Sequence, residues 1–167
     1  MNVYENSYFN LSVPFSEGWR YRSWSNWKEE PKDQGQMQRY DDDISSIEGE
    51  YKILFSAFRL PEKTPRLISS SQFSMAVYFN ENKFDLNTMF LPEKNHSSRI
   101  FETGNLFGKH TQVLTIKHSH ENYILTHKII AWQAQTNLWI SASMAGDNDE
   151  NFEEALVQFN GLKCVLN

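Results

Sequence analysis

The C-terminal stretch of residues 136–166 constrains the fold more than any other part of the chain. Residues 138–144 form an apolar run typical of a strand, and the polar residues 145–149 after it predict a turn. Residues 151–160 predict one amphipathic helix, and residues 162–166 a short closing strand. A helix this short is not stable alone in water, so its apolar face must pack against a sheet.

The predicted helix has one apolar stripe and recognisable ends. Apolar residues recur at the i, i+3, i+4 and i+7 spacing of a single helical face; they are Phe152, Ala155, Leu156 and Phe159. Asp149 or Asn151 is expected to cap the N-terminus, and Gly161 to end the helix in a left-handed conformation. Phe152 and Phe159 are expected to anchor the helix on the sheet.

The composition favours one ordered, sheet-rich domain over residues 1–167. The chain is long enough to close a real core, and its 14% aromatic content favours strands. The net charge is −5 and no long basic stripe occurs, so we expect no binding to nucleic acid.

Neither a signal peptide nor an apolar run of about 20 residues is recognisable, so we expect a cytoplasmic protein with no membrane span. The single cysteine, Cys164, is expected to be a buried, inert thiol.

The N-terminal part predicts two strands and then a long insertion. In residues 8–13 the side chains of alternate residues are apolar, and Pro14 is expected to end this strand because it cannot donate to a ladder. Residues 19–24 resume the alternation, so the two strands are expected to form a hairpin. Residues 28–50 contain few large apolar side chains and predict a mobile insertion within the domain. Its three consecutive aspartates lack the spacing of a calcium loop.

The rest of the chain predicts an antiparallel sheet. Residues 51–58 and 72–79 are apolar strands, and residues 85–91 are a short helix candidate with Asp85 as its cap. Residues 99–106 are a further strand candidate. The clearest stretch is a three-strand meander at residues 109–118, 123–132 and 138–144, because short connections require antiparallel neighbours. We therefore predict an α+β fold in which a C-terminal helix and a short middle helix cover a single antiparallel sheet.

This order of elements resembles the PsbP/Mog-type fold, over nearly the whole chain. The residues that carry the resemblance are Val13, Pro14, Gly18 and Trp19 at the front, with Phe152, Phe159 and the terminal strand at the back. The superfamily includes PsbP subunits of photosystem II, a Ran-binding protein and bacterial DcrB-like proteins. The resemblance implies an antiparallel sheet covered by helices. It also implies a domain that binds other proteins, as the chaperones of secretion-system effectors among its bacterial relatives do.

Motifs for catalysis, metals and cofactors are not recognisable in the sequence. It lacks a nucleophile elbow, a zinc-protease helix and a phosphate-binding glycine loop. Two histidines, His118 and His120, lie near a hairpin turn, but a zinc site needs three or four converging ligands. If residues 119–122 form that turn, His127 lies opposite Leu114 and away from His118. We therefore expect no catalytic residue, no metal site and no cofactor.

The segment of residues 19–27 is the strongest candidate for recognition. It has three tryptophans in nine residues, interleaved with arginines, and these are the residue types enriched at binding hot spots. If Trp19 faces the core, the partner-binding residues are expected to be Arg20, Arg22, Trp24 and Trp27. The alternative is that the indoles of Trp24 and Trp27 are also part of the core.

Three functions remain open at this level. The first is a non-catalytic protein-binding module, which would be an adaptor, a chaperone or an immunity-type partner protein. The second is a carrier of an apolar small molecule between the sheet and the helix, which the many Phe, Met and Trp residues suggest. The third is an enzyme whose site is assembled from residues distant in the sequence.

Overall fold

The computed structural model describes residues 2–7, 9–23, 50–59, 71–79, 84–89 and 97–164, most of them in antiparallel strands. The chain is therefore an α+β protein, as predicted. The elements within these residues are β1 (Asn2–Asn6), β2 (Leu11–Phe15), β3 (Trp19–Ser23), β4 (Glu50–Arg59), β5 (Ser71–Phe79), α1 (Leu86–Met89), β6 (Ser97–Leu106), β7 (Lys109–Ser119), β8 (Ile124–Gln135), β9 (Leu138–Gly146), α2 (Asp149–Asn160) and β10 (Lys163–Cys164).

The strands form two sheets, so the prediction of a single sheet is wrong. One sheet has seven strands in the order β3-β4-β5-β9-β8-β7-β6, and the other has three in the order β1-β2-β10. The expected hairpin of β2 and β3 is also wrong, because β2 pairs with β1 and β10 while β3 pairs with β4. The reason lies in the shared core. The rings of Phe15 and Trp19 stack with centroids 6.1 Å apart, so β2 packs over β3 rather than beside it.

The seven-stranded sheet consists of two meanders that one pairing joins. Strands β3, β4 and β5 form the first meander, and β6 to β9 form the second, which includes the three-strand meander predicted from sequence. Antiparallel pairing of β5 with β9 joins them, with Phe79 opposite Leu138 and Ser71 opposite Gly146. A bulge in β4 between Ile53 and Phe55 shifts its pairing with β5 by one residue.

The first face of this sheet packs against α2 and the three-stranded sheet. Its buried side chains include Phe55, Phe73, Ile140 and Met144. The second face carries a smaller apolar cluster around Leu114 and Trp139, with Phe84 stacked on Trp139 at 4.4 Å between ring centroids. The buried side chain of Gln112 holds the segment around Phe84 and Leu86 against this face. Its Nε2 donates to the Phe84 carbonyl at 3.0 Å, and its Oε1 accepts from the Leu86 backbone amide at 2.7 Å.

Some of the predicted segments extend beyond the described residues. Residues 28–49 of the predicted insertion lie outside them, and its last residue, Glu50, begins β4. The predicted middle helix corresponds to α1, although residues 90–91 of the prediction are also outside. Asp85 precedes α1 and accepts a hydrogen bond from the Asn87 amide, as expected of its cap.

Helix α2 differs from the prediction at both ends. It begins at Asp149, and its cap is Asn148, whose side chain accepts from the Asn151 amide at 2.8 Å. Asp149 and Asn151 are therefore not the cap; the residue before the helix has the extended backbone that capping needs. Gly161 has a φ of −80°, so it is not left-handed, and its amide donates to the Val157 carbonyl.

One buried polar residue of α2 binds the chain entering β3. The side chain of Gln158 is 1% exposed, and its Oε1 accepts from the Ser16 backbone amide at 3.0 Å. The side-chain Nε2 of Gln158 donates to the Ser16 hydroxyl at 3.1 Å. Phe159 is buried as predicted, whereas Phe152 is only partly buried, because it lies in the first turn of α2. Gln158 therefore contributes to the position of α2 as directly as the apolar stripe does.

The start of α2 lies directly against the end of β9. A side chain at Gly146 would bring its Cβ within 2.3 Å of the Phe152 nitrogen and 2.7 Å of the Phe152 Cα. These are backbone atoms, so no side-chain rotation can relieve the contact. The turn from β9 into α2 therefore depends on a residue without a Cβ atom at this position.

We predict that Gly146→Ala destabilises the protein by about 3 kcal/mol, since the helix must move to accommodate the methyl group. The matched control is Gly104→Ala in β6, where no atom lies within 4 Å of the added Cβ. Urea unfolding followed by circular dichroism measures both changes. A Gly146→Ala variant with the stability of the wild type would mean that α2 is not packed against β9 in this way.

Candidate functional site

A row of polar side chains crosses four neighbouring strands on the second face. Arg22 of β3 is opposite Ser56 of β4, Ser56 is opposite Ser74 of β5, and Ser74 is opposite Ser143 of β9. Residues directly opposite in antiparallel strands project to the same face, with Cβ atoms about 5 Å apart. We call these four residues the polar row. Its three serines are half-buried and its arginine is exposed.

A second row runs alongside it. Arg20 is opposite Phe58, and Phe58 is opposite Gln72; the row continues through Ala145 to His127 of β8. Arg20 is exposed, so the arginines of both rows lie at the β3 edge of the second face. No carboxylate occurs at any described position of these two rows. This end of the second face is therefore polar and positively charged, although the whole chain is acidic.

The hydroxyl of Ser143 is engaged by a histidine. His127 Nε2 lies 2.5 Å from Ser143 Oγ, which is a hydrogen bond whose donor depends on the imidazole tautomer. Burial, and then the nearby His118, lower the pKa of His127 from 6.5 to about 4. At neutral pH the imidazole is therefore uncharged.

The position of His127 corrects the expectation from sequence. Ser119 pairs with Ile124, so the turn consists of residues 120–123 and begins one residue later than predicted. His127 is consequently opposite Ile116 rather than Leu114, and it is a diagonal neighbour of His118. The turn is fixed by the His120 amide, which donates to the Tyr123 carbonyl at 2.8 Å, and by the stacking of these two rings.

The pairing of Ser143 with His127 is typical of an ordered polar surface rather than of a nucleophile. Strand β9 is paired with β5 on one side and β8 on the other around Ser143. Its amides are thus used by the sheet and cannot form an oxyanion hole beside the hydroxyl. In the described part of the chain, no group of three or more His, Cys, Asp or Glu side chains could hold a metal ion.

The four sequence-predicted partner-binding residues divide into two pairs. Arg20 and Arg22 are exposed on the second face, while Trp19 of the same strand is 2% exposed and packs in the core of the first face. Trp24 and Trp27 lie outside the described residues. The arginines thus remain candidates, and the structure adds Ser56 next to Arg22, with Ser74, Ser143 and His127 further across the same face.

Sequence reasoning missed the serines, although a signal for each of them was present. Each lies between two core residues of an alternating strand, as Ser74 does between Phe73 and Met75. Alternation predicts that such a serine is on the face opposite the core. It does not reveal that serines from three strands are aligned, because this depends on pairings between distant segments.

Cys164 is half-buried, and burial raises the pKa of its thiol, so little reactive thiolate is present at neutral pH.

No helix among the described residues is long and apolar enough to cross a membrane. Neither a protein-family model nor a curated protein matches this chain.

We predict that His127 makes the stability of the protein depend on pH between about 6.5 and 4. In that window the unfolded chain takes up a proton that the folded imidazole does not, so stability falls as the pH falls. The loss is at most about 3 kcal/mol. The His127→Gln variant should show a smaller loss than the wild type, because it lacks the imidazole.

Urea midpoints measured at several pH values across the window test this expectation. Other groups titrate in the same range, so the informative quantity is the difference between the variant and the wild type. Equal pH dependence in the wild type and His127→Gln would contradict the assignment of a neutral, buried imidazole.

Proposed function

We propose that this protein is a non-catalytic protein-binding module that binds an acidic segment of its partner at the β3 edge of the second face. The observation that carries the proposal is the exposure of Arg20 and Arg22 on a strand whose other face carries the buried Trp19 and the half-buried Tyr21. Adaptor, chaperone and immunity-type roles are all consistent with such a surface.

The charges of Arg20 and Arg22 favour an acidic partner. Two guanidinium groups project from alternate positions of one short strand, and the described positions beside them carry no carboxylate. Two neighbouring cations attract an acidic group more strongly than one cation does. Arginine also donates in a planar fork that matches a carboxylate or a phosphate.

The position of β3 at the edge of the sheet favours a partner segment that binds as an extended strand. It is an edge strand of the seven-stranded sheet, and in the described ranges of the chain no strand pairs with its outer side. An extended segment can add to such an edge by main-chain hydrogen bonds while its alternate side chains face the arginines. An acidic strand therefore suits this edge in both backbone and charge.

The resemblance to PsbP/Mog-type domains is a second ground for this proposal, since it implies binding to other proteins. We propose this relationship as well. A sheet that is covered on one face by a C-terminal helix supports it.

The test compares two double variants with the same change of charge. Arg20→Glu with Arg22→Glu should lose capture of the partner from native lysate by about 2 kcal/mol or more per residue, if both are anchors. Lys117→Glu with Lys163→Glu alters two exposed lysines of β7 and β10 and should retain it. Captured proteins are quantified by mass spectrometry, and both variants should melt as the wild type does. Equal capture by the two double variants would contradict the proposal.

A further inference from the structure

One corner of the first face of the seven-stranded sheet is exposed. Helix α2 packs over β9 and β5, and the three-stranded sheet packs over β3 and β4. Farther along the same face, Ile130 and Trp132 of β8 belong to the core. Alternation from these residues places Ile124 of β8 and, across β7, Ile100 of β6 on the first face as well. Ile100 is 58% exposed and Ile124 is 53% exposed, so the first face is open at this corner.

The open corner, as we call it, consists of four side chains on three neighbouring strands: Ile100 of β6, Lys117 of β7, and Ile124 and Lys128 of β8. The register places Ile100, Lys117 and Ile124 on one diagonal, which is about 17 Å long by strand geometry, with Lys128 beside it. Neither lysine has an ion pair with a described residue. Glu102 of β6 lies on the side of Ile100 away from Lys117, so the open corner is both apolar and basic.

The outer face of α2 has the complementary character. Glu150, Glu153 and Val157 share this face at helical spacing, and all three are exposed, Val157 by 53%. The helix contains no basic residue, so no ion pair within α2 neutralises these glutamates. The helix dipole favours acidic residues in the first turn, but Glu153 lies beyond that turn. The outer face of α2 therefore suits a surface that is basic and apolar.

One symmetric arrangement covers both surfaces at once. Helix α2 lies on the first face beside the open corner, so this face has a step about 10 Å high, the thickness of a helix. Two copies with their first faces together, related by a twofold axis, place α2 of each copy on the open corner of the other. The 12 residues of α2 are about 18 Å long, which matches the diagonal of the open corner.

We propose that the protein forms a homodimer in which the outer face of α2 of each copy packs on the open corner of the other. Glu150 and Glu153 then lie against Lys117 and Lys128, and Val157 lies against the exposed isoleucines. The proposal does not depend on the β3 edge, because Arg20 and Arg22 lie on the second face. The two copies in the dimer each keep their arginines exposed.

The oligomeric state of the purified full chain is measured by sedimentation velocity over a series of protein concentrations. We expect a reversible dimer with a dissociation constant on the order of 10 µM, because each contact consists of one short helix on a sheet. Val157→Asp should raise this constant by about tenfold or more, since it buries a carboxylate beside glutamates and isoleucines. The matched control is Val3→Asp in β1, where the valine is 39% exposed; this variant should dimerise as the wild type does.

Reversal of charge distinguishes this contact from a dimer formed by another surface. Glu150→Lys with Glu153→Lys brings like charges together in each contact, and so does Lys117→Glu with Lys128→Glu. Both double variants should raise the dissociation constant by about tenfold or more. The quadruple variant restores opposite charges, so its dissociation constant should lie within about threefold of the wild-type value.

The altered residues are exposed or half-buried, so each variant should keep the circular dichroism spectrum of the wild type. A wild-type chain that stays monomeric at concentrations well above the expected constant would overturn the proposal. A dimer that Val157→Asp leaves intact, or a quadruple variant that dimerises no better than the double variants, would overturn it as well. Capture of a partner through Arg20 and Arg22 should be unchanged in all of them, so the two proposals are tested separately.

Discussion

The pairing of β5 with β9 is the constraint on which the rest of this structure depends. It joins two meanders that are otherwise formed by neighbouring segments, and it brings together residues about seventy positions apart in the chain. Side chains alternate along a strand, so a slip of one residue would exchange the two faces of either meander. In the observed register Phe73 and Met75 face α2, and Ser74 faces the other way. Both the core and the candidate site therefore depend on the same hydrogen-bonded ladder.

This register gives the two faces different properties. Over β5 and β9 the first face is closed by α2, which is held at its start by the close approach to Gly146 and near its end by the bonds of Gln158 to Ser16. In the part of the chain that the structure describes, the second face is covered where Gln112 binds the segment around α1. The polar end of this face is left with half-buried hydroxyls and exposed guanidinium groups. A surface of this kind adds little to the core, and the proposed recognition of an acidic partner would give it a physical purpose.

The sequence predicted the parts of the fold that local patterns determine. Alternation and short polar turns were enough for the meander of β7, β8 and β9, and the apolar stripe was enough for α2. The end of β2 differs from the expectation that Pro14 ends this strand, which rests on the inability of a proline to donate to a ladder. Strand β2 nevertheless continues to Phe15. Among the described residues, Pro14 is paired on the β1 side, with Val3, while β10 pairs with Leu11 and Ser12, so the missing amide proton of Pro14 is tolerated there.

The candidate site, like the fold, could be predicted from sequence only where a local pattern determines it. Arg20 and Arg22 follow from alternation with Trp19 in one strand, which is local information. The alignment of Ser56, Ser74 and Ser143 depends on two strand pairings, one of them between distant segments, and on the bulge in β4. No pattern within a single segment specifies such an alignment.

Cross-linking of engineered cysteines across β5 and β9 tests this register most directly. In a Cys164→Ser background, Ser74→Cys with Ser143→Cys should be linked rapidly by a short thiol-reactive reagent, because these residues are directly opposite. Ser74→Cys with Ala145→Cys is a diagonal pair on the same face and should be linked more slowly. Faster linkage of the diagonal pair would mean that the strands pair in another register. Neither the core nor the polar row would then have the arrangement described above.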